Sequence, residues 1–109
     1  MILNNIPPNL IDWHNTPTEK SNGAKGFASS KIKLFGDIKI RQVQYSADYL
    51  ADHWCVKGHI IHILEGELIL DYKDGTSHII TANTTYIVGD DGIPHMAKSI
   101  NGALVLVID

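Results

Sequence analysis

The segment Asp52-His53-Trp54-Cys55-Val56-Lys57-Gly58-His59 carries the chain's single cysteine and two of its six histidines. Imidazole nitrogen and thiolate sulfur are the donors that best suit borderline-soft divalent metals, so this density of them is a metal-site signature. The segment runs into the apolar stretch Ile60-Ile61-His62-Ile63-Leu64, which ends at Glu65-Gly66-Glu67. A fourth candidate ligand, His95, follows Gly92-Ile93-Pro94. On a strand, His53 and Cys55 would face the same side, roughly 6–7 Å apart. Lys57-Gly58 is expected to bend the chain, so proximity across the bend has to bring in His59. His95 has to come from a neighbouring strand, and Pro94 suits the start of one. Cys55 stands between two roles, a direct ligand or a thiol lining the cavity.

Other polar side chains carry weaker signals. His14, His62 and His78 read as surface or hydrogen-bonded residues. His62 alternates with Ile61 and Ile63, which are expected to face inward, so it should face the opposite side. Asp52, Glu65, Glu67 and Asp71 are acid–base candidates by type only. Trp13 and Trp54 suit a pocket wall or the core. There is no phosphate loop, no Gly-x-Ser-x-Gly elbow and no Cys-x-x-Cys pair.

The elements that must position these residues read as short strands. Lys31–Phe35 and Ile38–Tyr45 alternate polar and apolar around Gly36-Asp37. His59–Leu64 and Leu68–Tyr72 flank Gly66. Asp74-Gly75, between Leu68–Tyr72 and His78–Thr81, is a strong hairpin signal. Thr84–Val88 comes next, and Asn101-Gly102 marks a further expected hairpin ahead of Ala103–Ile108. No sustained helical stripe is present, and regularly spaced short strands predict an antiparallel sandwich or barrel. Residues 1–30, rich in Pro, Asn, Thr, Ser and Gly, are expected to form an irregular arm with at most one short turn near Leu10–Trp13. The barrel is assigned to 31–109.

With 109 residues, 44% of them hydrophobic and 19% charged, the chain fits one globular domain. A net charge of -3 without a basic stripe gives no reason to expect nucleic acid. The longest apolar run, Ala103–Ile108, is far short of the roughly 20 residues a membrane span requires. Met1-Ile2-Leu3-Asn4-Asn5 shows no signal-peptide pattern, and one cysteine cannot form an internal disulfide, so a cytoplasmic location is expected.

These residues together resemble the cupin superfamily, whose first motif is Gly-x5-His-x-His-x3/4-Glu-x6-Gly. His53-Trp54-Cys55 takes the His-x-His position with cysteine as the second ligand, His59 takes the glutamate position, and Gly66 closes the motif without a gap. Ala47 stands where the opening glycine would be. In the second motif, Gly-x5-Pro-x-Gly-x2-His-x3-Asn, Gly92-Ile93-Pro94-His95 supplies Gly-x2-His. Asp90 replaces the proline, Ser99 the asparagine and Thr84 the opening glycine. From about Phe35 onward the chain also looks like a subgroup of small single-domain cupins with an Asp-His-Cys-Trp type motif.

The resemblance implies an all-β fold, the double-stranded β-helix of cupins (an antiparallel jelly-roll barrel), commonly dimeric, with one divalent transition metal in its mouth. It implies His53, Cys55, His59 and His95 as the metal residues. Such a set is softer than three histidines and a glutamate, which favours zinc, copper, nickel or iron over magnesium and manganese. Four protein ligands would close a tetrahedral site, whereas three would leave a position for a small-molecule ligand or substrate. The function expected is a metal-binding cupin with a small-molecule pocket, as an oxygenase or isomerase. The alternatives are a non-catalytic metabolite- or metal-sensing module, or a barrel whose histidines only hydrogen-bond. No nucleic acid or membrane partner is implied, and a homodimer is expected because exposed sheet edges tend to be covered.

Overall fold

The computed structural model describes residues 3–109; Met1 and Ile2, at the start of the expected arm, lie outside the described residues. Among the described residues, a 3-10 turn at Trp13–Asn15 is followed by nine strands: β1 (Glu19–Asn22), β2 (Phe27–Phe35), β3 (Ile38–Tyr45), β4 (Tyr49–Leu50), β5 (His59–Tyr72), β6 (Ser77–Thr81), β7 (Thr85–Val88), β8 (His95–Ser99) and β9 (Ala103–Ile108). They form a curled antiparallel sheet in the order β1-β2-β3-β9-β5-β8-β4, with β6 and β7 also paired to β5. Among the described residues no helix is long and apolar enough to cross a membrane.

β5 organises the barrel. Its first half pairs with β7 and β9, and its second half with β6 and β8. The sequence reads as two runs around Gly66, but the structure makes them one bent strand. A register shift between Ile63 and Glu65 starts the bend, and Gly66 completes it at φ +80°, a conformation that L side chains rarely adopt. A Cβ at Gly66 would also run into the Gly102 carbonyl.

Alternation puts the core inside the curl. On β9, Ala103, Val105 and Val107 are buried and their neighbours are partly exposed. They meet Val43 of β3, Ile61, Ile63, Leu68 and Leu70 of β5, and Ile80 of β6. Each large aliphatic side chain fully withdrawn from water here contributes about 1.5–3 kcal/mol. His62 faces away from this core and shares a 2.8 Å hydrogen bond with Thr85.

Three local differences from the sequence reading have physical causes. The segment 51–58 is not a strand; its one ladder contact is an isolated bridge between Cys55 and His95. Its backbone bonds to the loop after β7 instead: Asp91 N–H donates to Val56 O at 2.8 Å, and Gly58 N–H to Asp90 Oδ1 at 2.6 Å. Asn101-Gly102 turns the chain, with Gly102 at φ +92°, but makes no hairpin. It passes the chain from β8, paired with β4 and β5, to β9, paired with β3 and β5. Within the first thirty residues, β1 joins the sheet as a wholly exposed strand, so burial imposed no alternation to read. The turn at Trp13–Asn15 is capped by Asp12, whose carboxylate accepts from His14 N–H at 3.1 Å and from Asn15 Nδ2 at 2.6 Å.

Candidate metal centre

The β8 residues His95, Ala97 and Ser99 share a face, and His95 and Ser99 are buried. Residues directly opposite in an antiparallel pair project to the same side. His95 pairs with Tyr72 of β5 on one flank and with Cys55 on the other, so Tyr72, His95 and Cys55 form a row across the inside of the barrel mouth. The Cys55 bridge is two-way, with N–H···O distances of 2.8 and 2.9 Å. His59, in phase with the buried Ile61 and Ile63, faces the row from the first half of β5. Its ring centroid is 5.4 Å from that of His95, edge to face.

Donor atoms of Cys55, His59 and His95 lie within 4.8 Å of one another. Cys55 Sγ is 3.8 Å from His59 Nε2, and Lys57 N–H points at the sulfur from 3.4 Å. Gly58 holds this short loop against the strand edge. A Cβ there would stand 2.7 Å from Val88 O and 2.8 Å from Asp90 N.

His59 Nδ1 lies 2.7 Å from Asp109 Oδ2, and Arg41 Nη2 is 3.3 Å from the same oxygen. The Asp109 side chain is only 3% exposed. Burial pushes the His59 imidazole below its ordinary value, against the opposing pull of Asp109. Burial, followed by the neighbouring His59, lowers that of His95. Both rings therefore favour the neutral form, in which imidazole binds a metal.

The donor set fits a metal ion. Among the described residues, both ring nitrogens of His95 are buried without a hydrogen-bond partner, although a neutral imidazole carries one donor and one acceptor. Leaving such groups unpaired costs about 1–3 kcal/mol each, and coordination would use one lone pair. With zinc–sulfur and zinc–nitrogen bonds of ordinary length, the edges of a tetrahedral site are about 3.4–3.6 Å. The observed spacing reaches that with a contraction of roughly an ångström. Asp109 on His59 is the carboxylate–histidine arrangement that fixes the tautomer of a ligating imidazole.

Of the four residues the sequence offers, the structure gathers Cys55, His59 and His95. It does not gather His53, whose side chain is 75% exposed and whose Nδ1 lies 2.7 Å from Asp52 Oδ1. Trp54 is exposed beside it. Asp71 pairs with Lys98 at 2.9 Å, and Glu65 and Glu67 face solvent. Asp109, Arg41, Tyr72 and Tyr86 belong to the site's surroundings and were not among the sequence candidates. Asp109 had a readable signal, being in phase with the buried Val105 and Val107. The Tyr72 and Tyr86 hydroxyls are 2.8 Å apart, and burial, then the bond to Tyr86, pushes Tyr72 up to about 12. A groove of about 880 Å³ has His59, Asp109, Lys57, Ile60 and Ile108 on its wall.

No protein-family description and no curated protein matches the chain. Solved structures do. An RmlC-like cupin from Shewanella frigidimarina superposes with a TM-score of 0.76 at 13% identity, covering 94% of this chain and 90% of that one. A predicted oxalate decarboxylase from Thermotoga maritima gives 0.75 at 15%, covering 92% and 96%. Fe(II)-HppE, solved with an alternative substrate, gives 0.73 at 12%, covering 94% and 60%. At such identities the likeness is one of fold, and the fold is the cupin jelly roll.

Proposed function

We propose that this chain is a metal-dependent cupin in which Cys55, His59 and His95 hold one divalent transition metal and leave a position open to a small-molecule ligand. The observation that carries this reading is the pair of unpartnered nitrogens on the buried His95 ring. One thiolate and two imidazoles favour zinc, iron, nickel or copper. A bound ion there would supply a Lewis-acid position for a ligand oxygen. Cys55 and His59 are the soft and neutral donors, Asp109 orients His59, and Arg41 balances the buried carboxylate. The reaction class this best accommodates is that of a metal-dependent oxygenase or isomerase.

A second arrangement is visible in the same atoms. Cys55, His59 and Asp109 stand as nucleophile, base and orienting carboxylate would. That reading leaves the His95 nitrogens unexplained, so the metal reading is preferred. A non-catalytic sensing module would use the same centre and differ only in lacking turnover.

Elemental analysis of protein purified without chelators is expected to find about one transition-metal ion per chain. His95→Ala should lose it and His53→Ala should keep it. A wild-type chain that is free of metal and refuses added zinc, iron, nickel and copper would overturn the reading. As further parts of the proposal, the chain belongs with the small cupins of the Asp-His-Cys-Trp type, works in the cytoplasm where a free thiol stays reduced, and pairs as a homodimer.

A further inference from the structure

The row across the mouth does not end with its metal donors. Tyr72 continues it on the side of His95 away from Cys55, with ring centroids 6.1 Å apart. Because β5 bends at Gly66, His59 at its start and Tyr72 at its end both flank His95. The Tyr72 hydroxyl meets that of Tyr86 on β7 at 2.8 Å, so one short contact joins the two halves of the barrel. His78 packs edge-on against Tyr72, centroids 5.6 Å apart at 87°, and also lies 5.6 Å from Tyr86. These three rings hold one another in place, and none of them is needed to gather the donors.

Two phenol hydroxyls share two hydrogens, and their mutual bond uses one. The other remains free to donate. A divalent ion on one thiolate and two neutral imidazoles carries a single net positive charge, while Asp109 is balanced by Arg41. The open position therefore suits one anionic oxygen next to a hydroxyl donor.

We infer that Tyr72 and Tyr86 form the ligand-recognition wall of the centre, donating a hydrogen bond to an anionic oxygen such as a carboxylate presents. This rests on the metal reading above. The two are separated by loading the full chain with cobalt(II) and titrating acetate, or its neutral analogue acetamide, while following the visible cobalt spectrum. Wild-type protein should respond to acetate and bind acetamide at least about tenfold more weakly. The double variant Tyr72→Phe/Tyr86→Phe, which removes both hydroxyls, should keep cobalt affinity within about twofold and weaken acetate about tenfold, the worth of a hydrogen bond to a charged group. If it fails to fold, Tyr72→Phe/Tyr86→Met, which also removes both hydroxyls, carries the test. Equal binding of acetate and acetamide, or acetate affinity unchanged in the variants with cobalt still bound, would overturn the recognition wall and leave the metal centre standing. A wild-type chain that takes up no cobalt would overturn both.

Discussion

His59 Nδ1 and Asp109 Oδ2 lie 2.7 Å apart across 50 residues of sequence. The bond decides which face of the imidazole is free, because an Nδ1 engaged with a carboxylate leaves Nε2 directed at Cys55. It also ties the residue following the last strand to the first residue of the central one.

Replacing that carboxylate should therefore act on the metal without removing a ligand. Asp109→Asn is expected to weaken zinc affinity by about 10–100-fold, read by competition with a chromophoric chelator. Zinc affinity equal to wild type would mean that Asp109 serves the fold alone.

Acid should act on the metal-free barrel through the same rings. His59 and His95 both titrate below the 6.5 of a free imidazole, so below that pH the unfolded chain takes up protons that the folded chain refuses. Stability is expected to be full above pH 6.5 and to fall as the pH drops through the lower folded values. Urea midpoints of chelator-treated protein at pH 7.5, 6.5 and 5.5 check this, and a flat midpoint would refute it. Since the folded ligands stay neutral, metal should be retained somewhat below pH 6.5.

The loop carrying Cys55 should be sensitive to a single methyl group. Gly58→Ala puts a carbon 2.7 Å from Val88 O and should cost about 1–3 kcal/mol, as overpacking does, with zinc affinity falling too. Gly89→Ala, with open space around its Cβ position, serves as the matched control and should change little. Thermal melts of the two variants side by side distinguish a clamp from general loop tolerance.

Direct ligation by sulfur has an optical signature. Copper(II)- or cobalt(II)-loaded protein is expected to show a thiolate charge-transfer band that Cys55→Ser abolishes. A wild-type spectrum without that band would leave only the imidazoles in contact with the metal.

Much of the barrel was legible because burial on one face leaves a period-two record. β3 could be read directly, β9 only as an unbroken apolar run, and the turn at Asp74-Gly75, whose glycine sits at φ +92°, from its residue types. The spacing around Gly66 singled out His59 and His95, which the structure brings together with Cys55. Where no face is buried, no record exists, and β1 went unread for that reason. His53 could not be placed from parity, because around it the chain is no continuous strand and touches β8 only at Ala51 and Cys55. The phase of Asp109 was readable, but its role was not. A carboxylate in an apolar phase reads as the end of a strand until its partners, Arg41 and His59, are known.

The bridge between Cys55 and His95 also bears on the order of assembly. It joins segments that meet only after β5 has bent and β8 has paired with its second half, so the donor set is complete only in the closed barrel. An ion held there would stabilise the finished structure far more than the transition state that precedes it, slowing unfolding with little gain in folding rate. The metal would then act as a kinetic latch, and its loss would shorten the lifetime of the native chain even where equilibrium stability remains ample.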